Sequence, residues 1–229
     1  MAVAMVEITG EIIPNDLDWV YNFFDIEHTP VNRIKDAVLN LPEGDTLEVR
    51  INSPGGDVAS GQEMYSLLRT VPSVAHIMGF AASAAGLAAM GCGRVEMSPV
   101  SMIMVHNVWT QATGDYREMD TASKMLKQMN RSIAAAFVAK SGMEEDAVLK
   151  MMDKETWITA SQAVEMGLCD AIVGEPEGTP GRYSNSLCGL SVTPEMIETA
   201  KAAKAKEEQE AKDRTRADEI MRDLDLFGI

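Results

Sequence analysis

Short apolar runs with the period of a β-strand alternate along this chain with stretches of helical spacing, and this alternation limits the fold more than any other feature. It points to α/β architecture rather than all-α or α+β. Residues 3–10 read as a first strand ending on a glycine. Residues 16–24 and 32–40 have helix-like spacing, with Pro30 breaking between them. Residues 46–51 alternate polar and apolar, as a strand with one buried face does, and run into the turn-forming Asn52-Ser-Pro-Gly-Gly56. Asp57 opens a helix with Met64, Leu67 and Leu68. Residues 73–78 form the next strand, which leads through Gly79 and Phe80 into a run of small residues, 81–89. Short strands at 94–97 and 102–105 bracket Ser98 and Pro99. A long helix over 115–141 places Met119, Met125, Met129, Ile133 and Phe137 near helical spacing. A second helix, 144–152, and a strand–helix–strand passage over 157–173 complete the series.

The length of 229 residues suits one folded domain with an appendage. The domain spans 1–175, a Gly-, Pro- and Ser-rich linker follows over 176–194, and an alanine- and charge-rich tail covers 195–229. The tail's apolar residues are sparse, so it is expected to be helical only where something packs on it and otherwise disordered. Hydrophobic residues make up 46% of the chain, enough for a packed core, while aromatics number only 3 Trp, 4 Tyr and 5 Phe. Ala, Gly and Met take their place, which implies close approach between elements.

The formal charge is −15 and the pI near 4.6. Acidity on this scale speaks against nucleic acid or an anionic membrane surface as the main partner. Its distribution is uneven: residues 7–57 hold 11 acidic and 3 basic residues, whereas the tail holds 10 and 7. No apolar run reaches 18 residues, so no transmembrane helix is expected. The first residues are acidic where a signal peptide would be basic, and the expectation is a soluble, cytoplasmic protein. Cys92, Cys169 and Cys188 form neither a disulfide framework nor a zinc motif, and no metal or cofactor is expected.

Three features bear on chemistry. Ser83 lies directly after a strand, where a helix should begin, in Gly79-Phe-Ala-Ala-Ser-Ala-Ala-Gly86. Small neighbours there let a substrate backbone approach, and a helix N-terminus favours a developing negative charge. A serine nucleophile needs a base, and the chain has only three histidines. His28 lies in a polar stretch beside Pro30, His76 is mid-strand, and His106 ends the apolar strand 102–105 just before Asn107. The third feature is the glycine pair at 55–56, whose backbone N–H groups could form an anion nest; no Lys-Ser or Lys-Thr follows, which weakens a nucleotide-binding reading. Each also has a plain explanation: a small residue at a tight helix contact, a structural strand-end histidine, and a turn.

In combination, strand–INSPGGDV, GFAASAAG, MIMVHN, a long helix and ETWITASQAVEMGLCDAI resemble, in order and spacing, the ClpP family of serine peptidases over residues 3–175. The resemblance is closest to the Clp-like proteases of phage and prophage head-assembly regions. It implies a ClpP/crotonase-like fold of repeated strand–strand–helix units, with the helix 115–141 as a protruding handle that joins stacked rings. It implies Ser83 as nucleophile, His106 as general base, and the backbone N–H groups of Gly56 and Ala84 as the oxyanion hole. The aligned position for the orienting carboxylate is Glu155, a glutamate where the family has aspartate; Asp153 is the alternative. Neither a cofactor nor a metal is implied. The implied partners are a polypeptide substrate, further copies in a ring (heptamer or double heptamer), and phage capsid or scaffold proteins. Few residues precede the first strand, where the family carries loops that dock an AAA+ unfoldase, so the expectation is an ATP-independent or ATPase-assisted endopeptidase of phage head or scaffold proteins, in the bacterial host cell if phage-encoded. Two other readings compete with it. One is a catalytically silent ClpP-like ring or scaffold protein. The other is a crotonase-type acyl-CoA enzyme, for which no general-base carboxylate stands at an acyl pocket.

Overall fold

Parallel strands that are buried on one face and joined through helices account for most of the molecule, and their C-terminal ends converge on one edge. The computed structural model describes residues 4–173, 193, 195–209 and 212. Its strands are β1 (Ala4–Ile13), β2 (His28–Pro30), β3 (Leu47–Gly56), β4 (Ser73–Ala82), β5 (Arg94–Met97), β6 (Met102–Val105), β7 (Thr156–Thr159) and β8 (Ala171–Ile172). Its helices are α1 (Asp18–Phe23), α2 (Val31–Leu39), α3 (Val58–Leu68), α4 (Ala84–Ala89), α5 (Tyr116–Ser141), α6 (Glu145–Asp153) and α7 (Ala160–Glu165). The sheet order is β2-β1-β3-β4-β5-β8, all parallel, and β6 pairs β4 in parallel and β7 in antiparallel fashion. This is the mixed α/β architecture that the alternation predicts.

The period-two pattern of β3 turns Leu47, Val49 and Ile51 into the core, where they meet Met64 and Leu68 of α3 and the small residues of α4. Every residue of α4 is buried. A Cβ added at Gly61 of α3 would stand 2.9 Å from the Ala84 Cβ, so the two helices touch almost backbone to backbone. The scarcity of aromatics follows from this spacing.

The sequence misjudged the first strand and the Asn52–Gly56 stretch. β1 continues through Gly10 to Ile13 and gains β2 as an edge partner, and Gly10 takes φ +61 at a register shift. Asn52–Gly56 is not a turn but the last part of β3. Between Thr9–Asn52 and Glu11–Gly55, β3 carries Ser53 and Pro54 opposite the single residue Gly10, which accommodates a proline that has no N–H to give the ladder. His28, read as part of a polar loop, lies in β2 and is buried, with its ring nitrogens on Asp18 Oδ1 (2.9 Å) and the Ile26 carbonyl (2.7 Å).

Helix α5 begins on a capping box between Asp115 and Glu118 and ends at Gly142, whose φ is +73. Its expected apolar stripe divides in two. Ile133 and Phe137 enter the core, while Met119 and Met125 of the first half are exposed. In the tail, residues 195–209 are helical; Ala200 is fully buried and Lys204 Nζ lies 4.5 Å from the centre of the Trp19 ring. The expected linker, apart from Thr193, and the end of the tail, apart from Lys212, lie outside the described residues.

The C-terminal end of α5 is tied to the sheet by Lys140, whose Nζ is 2.5 Å from Asp170 Oδ2; the same oxygen accepts the Val95 N–H at 2.7 Å. Burial alone would raise the Asp170 carboxyl, but the Lys140 hydrogen bond, the Val95 N–H and the Lys140 and Arg94 charges together hold it below its ordinary value. A carboxyl depressed in the folded state contributes stability that is complete above its unfolded value, about 4, and is lost as pH falls through the folded one. Asp170→Asn should therefore lower the thermal midpoint at pH 7, with the gap to wild type closing as the pH falls below about 4. Melting curves across that range test this, and a gap independent of pH would show that the carboxylate charge contributes nothing.

Candidate active site

β3, β4 and β6 end side by side, and each end delivers one part of a cleft. Midway along, β4 changes partner: Val74–Ile77 pair with β5, and Phe80–Ala82 pair with β6. Its register with β3 slips at the same place, between Ile51–Ile77 and Ser53–Ala81. The Asn52 side chain fills the broken ladder, its Oδ1 accepting the Phe80 N–H at 3.1 Å and lying only 2.4 Å from where a Cβ at Gly79 would stand. Ser53 occupies an inward position of β3 and is buried, yet its hydroxyl is satisfied: it donates to the Gly10 carbonyl (2.6 Å) and accepts from the Gly55 N–H (3.1 Å). The polar residues of the Asn-Ser-Pro-Gly-Gly segment thus repair the sheet where it opens.

Gly55 has φ +95, and a Cβ on it would lie 2.6 Å from the Ala82 carbonyl oxygen, 2.8 Å from Ser83 Cβ and 2.9 Å from the Ala84 nitrogen. Only glycine lets β3 approach the β4–α4 turn this closely. Gly56 (φ +148) is pressed in the same way against the Ile12 carbonyl. Ser83 forms the turn itself with φ 53 and ψ −121, a backbone conformation that costs a non-glycine residue on the order of 1–3 kcal/mol. The turn is held by the Ser83 N–H on the Met104 carbonyl (2.9 Å) and by the Leu87 N–H on the Ser83 carbonyl (3.0 Å). A sharp strand-to-helix turn of this kind presents the side chain outward, and Ser83 is half-buried among buried neighbours.

His106 follows β6, and its Nε2 lies 2.7 Å from Ser83 Oγ. With the hydroxyl as donor, Nε2 is the unprotonated nitrogen and Nδ1 carries the ring proton. Ser83 and His106 border a cavity of about 530 Å³ whose lining also includes Gly55, Gly56 and Ala84 and the apolar Leu126, Met129, Phe137 and Met152. The structure thus brings four of the five expected site residues together. The fifth is near but unbonded. The last β6–β7 pair is Val105 with Thr156, so His106 and Glu155 are the next residues across the ladder. Glu155 takes φ +48 there, its carboxylate is exposed, and among the described residues no carboxylate hydrogen-bonds His106 Nδ1. Asp153 reaches the site indirectly: its Oδ1 accepts from Asn107 Nδ2 at 2.9 Å.

The other nucleophile and base candidates are placed differently. Burial pushes the Cys92 thiol up to about 12, against an opposing hydrogen bond to Ser73, and burial also raises Cys169; thiols so shifted are poor sources of thiolate. His76 sits between Glu48 and Glu96 on the exposed side of the sheet. Among the described residues, no three His, Cys, Asp or Glu side chains gather as a metal cage, and no helix is long and apolar enough to cross a membrane. The Asn107 connection was not read from the sequence, where an asparagine beside a strand-end histidine carries no distinctive signal.

The Clp protease family model matches residues 25–176. The chain belongs to the Clp protease family. Clp proteases are peptidases that cleave polypeptides and assemble into oligomeric rings. This Clp protease is 28% identical over 172 residues to the ATP-dependent Clp protease proteolytic subunit 1 of Streptomyces avermitilis, covering 72% of this chain and 79% of the relative. It is 30% identical over 155 residues to the ATP-dependent Clp protease proteolytic subunit of Bacteroides fragilis, covering 65% and 75%. Against subunit 1 of Chlamydia pneumoniae the figures are 26% over 185 residues, 76% and 97%.

Gly55 and Gly142 separate two costs of a glycine substitution in this Clp protease. Both have positive φ, but nothing lies within 4 Å of a Cβ at Gly142. Gly142→Ala should cost about 1 kcal/mol from backbone conformation alone. Gly55→Ala should cost that and a further 1–3 kcal/mol, roughly, from overpacking against the Ser83 turn. Denaturant unfolding of the two variants measures the difference, and equal losses would refute the close approach.

Proposed function

We propose that this chain is a serine endopeptidase whose nucleophile is Ser83 and whose general base is His106. The observation that carries the reading is the 2.7 Å contact between Ser83 Oγ and His106 Nε2, made by a serine whose backbone is held in a strained turn. Ser83 Oγ attacks the scissile carbonyl while Nε2 takes its proton. The backbone N–H groups of Gly56 and Ala84 receive the developing oxyanion, a contribution of about 3 kcal/mol per donor in hydrolases of this kind. His106 returns the proton to the leaving amine, which departs with the C-terminal fragment. Water, deprotonated by the same nitrogen, then hydrolyses the acyl ester and restores Ser83. The apolar residues lining the cavity suit an apolar side chain next to the bond cut.

Glu155 is proposed as the orienting carboxylate, supported by its place across from His106, with Asp153 as the alternative through Asn107. The exposed Met119 and Met125 on the first half of α5 support a handle that packs against further copies, giving a heptameric ring or a pair of such rings. The motif resemblance supports phage head or scaffold proteins as substrates, cut without an obligatory ATPase.

Labelling with a fluorophosphonate tests the nucleophile: wild type should be modified and Ser83→Ala should not. Modification that survives in Ser83→Ala removes the assignment, and an unlabelled wild type leaves the silent-scaffold reading in its place. Hydrolysis of a short apolar fluorogenic peptide should proceed without nucleotide. On that substrate, Glu155→Gln should lower kcat by roughly 10³–10⁴-fold, as loss of an orienting carboxylate does in serine hydrolases. Asp153→Asn should cost far less, because an asparagine there still accepts from Asn107. The reverse ranking would make Asp153 the acid. Light scattering at micromolar concentration should report a ring, and a monodisperse monomer would overturn the handle.

A further inference from the structure

Asn130, midway along α5, is joined to the segment that carries His106 by two hydrogen bonds. Its Oδ1 accepts the Val108 N–H at 2.8 Å, and its Nδ2 donates to Asn107 Oδ1 at 2.9 Å. The amide orientation follows from the partners: the Val108 N–H can only donate, so Asn130 presents oxygen to it and nitrogen to Asn107. Asn107 then has its own nitrogen directed at Asp153 Oδ1, 2.9 Å away. The chain of donors runs one way, from the Val108 N–H through Asn130 and Asn107 to a carboxylate, and such chains strengthen each link by polarisation. The two residues held, Asn107 and Val108, are those immediately after His106, where the β6–β7 ladder has ended. Among the described residues, the imidazole itself has one hydrogen bond, to Ser83. Beyond the ladder, the polar ties of this segment are therefore these links to α5 and to the end of α6.

We propose that Asn130 is a positioning residue for His106: by clamping Asn107 and the Val108 amide to α5, it fixes the segment that holds Nε2 against Ser83 Oγ. The proposal rests on the Ser83–His106 peptidase reading and adds to it a residue that contacts neither reacting group. It also makes α5 part of the catalytic geometry. Of the side chains on the same helix near this segment, Leu126, Met129 and Ile133 are apolar, and among the described residues Ser123 and Lys127 make no hydrogen bond to it, so the directional link between helix and base is the Asn130 amide.

The test uses the full chain, a short apolar fluorogenic peptide, and fluorophosphonate titration to count competent sites. Asn130→Ala removes both bonds and should lower kcat per labelled site by roughly 10²-fold, the scale of a misplacement of about 1 Å, with KM within about twofold of wild type. Asn130→Asp keeps the acceptor for Val108 and loses the donor to Asn107, so its kcat should fall between the two. The acid limb of the kcat/KM profile, which reports the base, should move in Asn130→Ala, as it would not for a residue that only stabilises the fold. Asn107→Ala combined with Asn130→Ala should cost little more than the worse single change, since both act through one path. The clamp is overturned if Asn130→Ala keeps kcat within twofold of wild type, if only KM changes, or if the double variant loses the full product of the single effects. A wild type that fluorophosphonate does not label sinks the peptidase reading; a labelled wild type with an unaffected Asn130→Ala sinks the clamp alone. Should Asn130→Ala not fold, Asn130→Asp decides: wild-type kcat and acid limb in that variant overturn the proposal.

Discussion

The contact between Gly55 and the Ser83 turn sets the geometry around it. Two neighbouring parallel strands, β3 and β4, end within van der Waals contact of one another because one of them has no side chain at the meeting point. A methyl group at Gly55 would overlap the Ala82 carbonyl and the Ala84 nitrogen, so it would push β3 and α4 apart. Further consequences follow from that closeness. Helix α4 must be built of small residues, α3 must carry Gly61 where it crosses Ala84, and the space left beside the turn becomes the cleft.

Closeness of this kind is bought with strain at Ser83, which the surrounding core is rigid enough to impose. The strained residue is anchored on both sides, by the Met104 carbonyl before it and the first turn of α4 after it. Relaxing φ towards an ordinary value would break one of these anchors. The backbone therefore fixes where Oγ emerges, and β6, paired with β4 on the other side, brings His106 to the same place. Pre-set geometry of this kind is what nucleophilic chemistry requires, because the reacting groups then lose little further freedom when a substrate arrives.

How much of this could be read from the sequence varies with the range of the interaction concerned. The α/β alternation, the strand ahead of Ser83 and the strand ahead of His106 are local patterns, and each was legible. The caps of α5 at Asp115 and Gly142 rest on local contacts as well. The Asn52–Gly56 segment was misread as a turn because its residues are turn formers. Here they serve a sheet that splits, with Asn52 and Ser53 replacing ladder bonds and Pro54 in a bulge; partner strands decide that, and local propensity cannot. The methionine stripe of α5 was legible as apolar, but its division between core, cleft and exposed surface depends on which elements pack against each turn of the helix. Asn130 was invisible for the same reason, since an isolated asparagine in a helix gives no sign of a partner 22 residues earlier.

The backbone fixes some parts of the site and leaves one of them to side-chain freedom. Ser83, Gly56 and Ala84 are placed by φ and ψ in a crowded turn. His106 is placed by the end of a strand and by the ties on Asn107 and Val108. Glu155 has neither kind of support: an antiparallel ladder decides which residues face each other, but the ladder stops at Thr156 and the chain turns at φ +48. Its extra methylene, relative to an aspartate, adds a rotatable bond just where the backbone stops giving direction. Asp153, one methylene shorter and at the end of α6, accepts from Asn107 instead and so is tied to the loop rather than to the ring. The backbone gives Ser83 and His106 one geometry, whereas the carboxylate of Glu155, the proposed orienting group, must find its geometry through its own torsions.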